Sequence, residues 1–451
     1  MAEPGATRQL AAFVVNTGYC DLPSRVVERM KVYLLDCLAA GFVGAKLPWA
    51  QMTLDLAREQ GGAQESSVFA TPDKLTASQA TLVNGVMIGG FESEHVGHVS
   101  HPAGTVTPAA LAIAERQGAS GKDLLLAMTL GYEVVCRVGD AQTGLVETQR
   151  GFHNPAVNGP FSAAAAVGKL LGFDEDTLAK AFGIAGSHCS GLIEYAWDGS
   201  MTKRLHLGRA AQMGLESALL AGKGFTGPAT ILEGRYGYFN AYSPAPKPER
   251  LLDGLGEEWR LETLIIKAYP CHVTTQAIVA AIQAFKREHE IDPDKIERIH
   301  IRASGRLLQQ RFLDAQPNSE MGAQYSLPFT TAVACYRNLD DPLQYNESVL
   351  QDPGITRLAR AVTWEKVEGE DDEGLGAELE IFAGSERHTL VARDFVGSLH
   401  SPANFDDVEQ KFRRFSAHVL STSQQDQLVD LVRRVDELPS VGELAKGIRG
   451  S

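Results

Sequence analysis

The sequence predicts a mainly helical protein: a large helical-bundle domain plus a smaller inserted α+β domain. Three observations carry that expectation. Apolar residues in the first half recur at helical spacing, the character switches to strand-like alternation after about residue 262, and helical spacing returns near the end. At 451 residues the chain exceeds one ordinary core, so two domains are expected. The order of elements assigns residues 1–262 and 398–451 to the helical domain and 263–397 to an α+β lid. A cleft between two such domains is a natural place for a ligand.

Each element has a local signal. Ser24 is placed to cap a helix whose apolar residues Val26, Val27, Met30, Leu34 and Cys37 share a face, ending at Gly41. Thr107 and Pro108 read as the N-cap and first residue of a helix over 109–116, closed by Gly118. Alanine-rich segments at 162–171 and 209–222 predict helices that approach closely. Ile299 and Ile301 alternate with His300 and Arg302, and 362–367 is a second strand candidate. Segments 377–382 and 388–392 flank Gly384-Ser385 as a hairpin. Helices are expected at 274–288 and 324–337, and the acidic run 368–373 reads as a solvated loop. Val408, Phe412 and Phe415 share one late helix face, and Leu428, Leu431, Val432 and Val435 share another.

Composition narrows the function classes. A formal net charge of −14 argues against nucleic acid and anionic membrane surfaces as partners. Six scattered cysteines with no CxxC pair supply neither a zinc ribbon nor a disulfide framework. No apolar run reaches membrane-spanning length, and the first ten residues contain no long apolar core, so a cytoplasmic enzyme is the expectation. Dinucleotide, P-loop and nucleophile-elbow motifs are not found. Acid/base chemistry without a cofactor, on a small anion, is what remains.

Four segments concentrate the chemistry. Lys203, Arg204 and His206 stand among apolar residues just before the alanine-rich segment 209–222, where buried cations need an anion. Glu92-Ser93-Glu94-His95-Val96-Gly97-His98-Val99-Ser100-His101-Pro102 is dense in proton-transfer groups. Its three histidines at i, i+3 and i+6 invite a metal reading. With no cysteine nearby, proton chemistry in a loop bounded by Gly97 and Pro102 is favoured, and no metal site is expected. Gly151-Phe152-His153-Asn154-Pro155 sets a histidine in a turn before a helix. Lys267-Ala268-Tyr269-Pro270-Cys271-His272 pairs a lysine and a histidine near the proposed domain boundary, suited to holding a carboxylate and moving a proton.

In this order, with Asn84-Gly85 ahead of the acidic loop and Ala323-Gln324-Tyr325-Ser326-Leu327-Pro328 after it, these segments resemble the 2-methylcitrate dehydratase and cis-aconitate decarboxylase family, MmgE/PrpD. The resemblance spans nearly the whole chain. It implies a homodimer of two-domain subunits, no organic cofactor, and a small polycarboxylate substrate. By matching position, it implies catalytic roles for His101, His153, Lys203, Lys267 and His272. Glu92, His95, Arg204 and Tyr325 are the expected substrate-binding residues. Two departures are visible: Glu92-Ser93-Glu94-His95 where relatives often carry Asp-x-Asp-Asp, and Phe329 where the decarboxylases place a tyrosine.

The leading expectation is a lyase that dehydrates a 2-methylcitrate or citrate-type substrate. His101 or His272 would be the base, and His153 would protonate the leaving hydroxyl. The alternatives are epimerisation of a dicarboxylate such as iminodisuccinate, decarboxylation of cis-aconitate, and a non-catalytic carboxylate sensor.

Overall fold

The computed structural model describes residues 5–367 and 374–449, so the expected acidic loop at 368–373 lies outside the described residues. The protein is mainly helical with one four-stranded mixed sheet, the expected fold class. The chain forms two compact units. The first comprises Met1–Ile193, Thr202–Leu264 and Asn404–Ser451, and the second comprises Glu194–Met201 and Ile265–Ala403. Among the described residues no helix is long and apolar enough to cross a membrane.

The first unit is built around helix Thr202–Gly222, which packs against Ala77–Gly89, Pro102–Gln117 and Asn154–Leu170. Glycines set the closest approach. A Cβ on Gly208 would stand 2.3 Å from the Leu82 carbonyl oxygen, and one on Gly85 would stand 2.5 Å from the Gly208 Cα. Only a helix pair without side chains there can come this near. The contact fixes the depth of the turn that carries Lys203 and Arg204. Helix Phe405–Ser416 buries Val408, Phe412 and Phe415 and packs against Ser24–Gly44.

Several boundaries differ from the sequence reading. Helix Ser24–Gly44 takes Pro23 as its N-cap and continues past Gly41. Gly41 is retained as a helical residue because the Phe69 ring leaves no room for a side chain there. Thr107 is not a cap. The helix starts at Pro102, with His101 as N-cap, and runs to Gln117 with Pro108 inside it. A first-turn proline is pre-organised for a helix start. Continuous burial from Pro102 to Ala114 then outweighs the one bond lost at Pro108. Gly118 closes this helix at φ 65°, as expected. The alanine-rich helices also start earlier, at Asn154 and Thr202, so the cationic strip opens a helix instead of preceding one.

In the second unit, strand Ile296–Ala303 lies between Val362–Lys366, which pairs parallel, and Ala377–Ala383, which pairs antiparallel. Glu386–Ala392 completes the hairpin across Gly384, whose φ of 61° suits a tight turn. Ile299 faces Ile381 and Ile301 faces Leu379, all buried, and helix Gln276–Glu288 packs against the two hairpin strands. The two expected helices are each interrupted. A 3-10 turn, Val273–Thr275, precedes Gln276–Glu288. Ser326 separates Glu320–Tyr325 from Leu327–Tyr336, its hydroxyl accepting from the Phe329 N–H at 3.0 Å.

Candidate active site

The acidic loop runs from the end of helix Ala77–Gly89 to His101. Glu92, His98 and Val99 hold positive φ angles of 55°, 48° and 57°. Each such residue costs on the order of 1–3 kcal/mol and persists only where its surroundings dictate it. Strain of this kind collects at functional sites.

The three histidines of the loop face three different carboxylates. His95, fully buried, places Nδ1 2.8 Å from Asp36 and Nε2 3.0 Å from the Tyr132 hydroxyl, so both ring nitrogens are engaged within the protein. Burial pushes the His95 pKa below its ordinary value against the pull of Asp36. Burial works to raise the Asp36 pKa, yet Lys411 and His95 together hold it below the usual carboxylate range. His98 sets Nδ1 3.0 Å from both Asp140 oxygens and Nε2 2.7 Å from the Thr263 hydroxyl. His101 places Nδ1 2.6 Å from Glu94 Oε1. Among the described residues no group of three or more His, Cys, Asp or Glu side chains is arranged to hold a metal ion.

Glu94 is fully buried, whereas the His101 side chain keeps 16% of its exposure. A carboxylate at Nδ1 fixes the imidazole orientation and directs Nε2 away from the pair, the arrangement of a general base. The His153 ring lies 6.1 Å from that of His101. Gly151, at φ 73°, ends helix Leu145–Arg150, and His153 then serves as N-cap residue of Asn154–Leu170 without a side-chain cap bond. Its ring turns instead to His206, Nδ1 to Nδ1 at 3.1 Å. Burial, then the charge of Lys203, lowers the His206 pKa to about 4.

Lys203 and Arg204 are 1% exposed, so the strip holds buried cations, as expected. Lys203 forms an ion pair with Glu92, and Arg204 Nη1 lies 3.8 Å from the same carboxylate oxygen. The Arg204 guanidinium also stacks 4.7 Å from the Trp49 ring centre. Glu92, His101, His153, Lys203 and Arg204 thus belong to one neighbourhood of the first unit.

Lys267, His272 and Tyr325 belong to the second unit. Gln276 holds their segment, accepting from the Ala268 and Tyr269 N–H groups and donating to the Tyr269 and Cys271 carbonyls. The His272 N–H donates to the Gln324 carbonyl at 2.9 Å, and its Nδ1 lies 2.9 Å from the Thr274 hydroxyl. Its ring packs between Phe312 and Tyr325, each centred 4.7 Å away. Lys267 is buried. Phe329 is also buried and offers no hydroxyl.

The sequence reading placed Glu94 and His206 in chemistry-bearing segments but assigned neither a role at the site. The signal for His206 was present: three residues beyond Lys203, it shares that helix face. Glu94 carried no such signal, because alternation cannot tell which of two nearby carboxylates a strained loop turns toward His101.

Comparison with known proteins bears on this geometry. The MmgE/PrpD N-terminal domain model matches residues 8–251, and the MmgE/PrpD C-terminal domain model matches residues 269–437. The chain belongs to the MmgE/PrpD family. It is 29% identical to the cis-aconitate decarboxylase of Aspergillus terreus over 98% of this chain and 96% of that protein. It is 29% identical to the human cis-aconitate decarboxylase over 95% and 91%, and 28% identical to the mouse protein over 98% and 93%. His101, His153 and Lys203 fall within the MmgE/PrpD N-terminal match, and His272 and Tyr325 within the C-terminal one. Lys267 lies between the two matches. The C-terminal match also takes in helices Phe405–Ser416 and Thr422–Arg433, which belong to the first unit.

Proposed function

We propose that this protein is a lyase acting on a small di- or tricarboxylate by acid/base chemistry at a carbon next to a carboxylate, without an organic cofactor. The observation that carries the reading is the Glu94–His101 pair at 2.6 Å, in the neighbourhood of His153 and Lys203. Lys203, with Arg204, binds a substrate carboxylate. Neutralising that charge eases proton removal at the adjacent carbon by stabilising the enolate-like state. His101, held by Glu94, takes the proton. In dehydration the electron pair left on carbon forms the double bond, and His153 protonates the departing hydroxyl so that it leaves as water. Lys267 and His272 are assigned carboxylate binding and proton transfer by their match to the family's active-site positions. The working form is a homodimer.

Dehydration of a 2-methylcitrate or citrate-type substrate is the primary outcome, supported by the absence of a hydroxyl at Phe329. Decarboxylation is the second reading, favoured by relatives that match almost the full chain. In that case carbon dioxide departs and a protonated histidine returns a proton to the carbanion. Epimerisation uses the same base with a second acid on the opposite face.

A panel of di- and tricarboxylates followed by proton NMR in deuterated water separates these outcomes. Dehydration yields a new alkene resonance, decarboxylation a shortened product, and epimerisation deuterium at an otherwise unchanged carbon skeleton. Binding without exchange or turnover would leave only the carboxylate sensor.

A further inference from the structure

The peptide groups on both sides of Glu94 are held by one buried ion pair. Lys411 Nζ lies 2.6 Å from Asp36 Oδ1 and also donates to the Ser93 carbonyl, immediately before Glu94. Asp36 Oδ2 accepts from the His95 N–H, immediately after Glu94, at 3.1 Å, and from the His95 ring at 2.8 Å. Asp36 is fully buried and Lys411 is 3% exposed. Tyr132 closes the far side, its hydroxyl meeting His95 Nε2 at 3.0 Å and the Thr107 hydroxyl at 2.9 Å.

The loop has reason to need such a hold. Glu92 carries a positive φ, and the next carboxylate must reach His101 across seven residues at 2.6 Å. A backbone in that conformation relaxes unless its neighbours fix it. An ion pair removed from solvent is a rigid anchor, provided that its remaining hydrogen-bonding groups are used. Here they are spent on Ser93 and His95.

We propose that Lys411 and Asp36 are positioning residues for catalysis: they clamp the two peptide groups flanking Glu94 and so fix its carboxylate against His101. The inference rests on His101 acting as the base. Lys411 comes from helix Phe405–Ser416, 375 residues from Asp36, so the end of the chain orders a loop near its beginning.

Two paired replacements test the clamp. Removing both charges together avoids a lone buried ion, and apolar substitution of such a pair is often neutral for stability. Asp36→Leu with Lys411→Met is expected to stay folded, checked by thermal unfolding, and to lose about 10–100-fold in kcat/KM, typical of displaced supporting residues. Asp36→Asn with Lys411→Gln keeps the hydrogen bonds without the charges and is expected to recover most of that loss. Adding Glu94→Gln to the apolar pair should cost little more than Glu94→Gln alone, because both disable one unit.

An activity-independent readout accompanies the kinetics. The His101 Nδ1–H resonance is expected far downfield in the natural protein and in the amide pair, and lost in the apolar pair. A folded apolar pair with natural turnover and an unchanged resonance overturns the proposal, as do losses that multiply with Glu94→Gln. If no carboxylate turns over but the resonance still depends on Lys411 and Asp36, the clamp stands and the proposed reaction fails.

Discussion

His153 and His206 meet through like atoms, Nδ1 to Nδ1, at 3.1 Å. Two such nitrogens share one proton, so at this contact one ring donates and the other accepts. The state of His206 therefore constrains the tautomer of His153, the residue assigned to protonate the leaving group. Lys203, one turn earlier on the same helix, joins burial in keeping His206 neutral.

A pH dependence of stability follows. His206 titrates at about 4 when folded, against an ordinary value of 6.5. Below pH 6.5 the unfolded chain takes up a proton that the folded ring refuses, so stability is full above that pH and falls as the pH drops toward 4. The gap sets an upper bound of ~3 kcal/mol. Urea unfolding of His206→Gln should show a shallower loss of stability over this range than the natural protein. Parallel curves for the two proteins would refute the assignment.

Lys203 separates stability from activity. Lys203→Met leaves the Glu92 carboxylate buried without its ammonium, which should cost roughly 3–5 kcal/mol. Adding Glu92→Gln should restore most of that stability by removing the charge. Activity should not return, since the cation assigned to the substrate carboxylate is still missing, and kcat/KM should stay reduced by about 100-fold. Recovery of both properties together would show that Lys203 serves the fold alone.

The glycine crossing makes a purely structural prediction. Gly208→Ala drives a methyl group into the Leu82 carbonyl oxygen and the Val86 N–H, which are backbone atoms and cannot swing aside. A loss of about 3 kcal/mol is expected, at the upper end of overpacking effects. Denaturant titration measures it, and a change under about 0.5 kcal/mol would mean that the helices separate freely there.

The sequence was most informative where a residue's own backbone preference decides the structure. Gly118, Gly151 and Gly384 mark a helix end, the break before a helix and a hairpin turn through their positive φ angles alone. The strand through Ile299 and Ile301 followed from side-chain alternation, whereas its pairing partners did not. Pro108 misled because its local cost is small beside the burial of the whole helix around it. The candidate site was legible as a set of segments but not as a set of partners. Nothing local relates Lys411 to Asp36, and nothing in the Glu92-to-His95 spacing shows that Glu92 turns to Lys203 while Glu94 turns to His101.

In the proposed reaction His101, oriented by Glu94, moves a proton at a carbon beside a carboxylate. The most direct measurement is substrate-dependent turnover or deuterium exchange in the natural protein and in His101→Ala, by proton NMR in deuterated water. A loss of about 10²- to 10⁴-fold is expected in a variant that unfolds like the natural protein. Undiminished turnover or exchange in folded His101→Ala would contradict it.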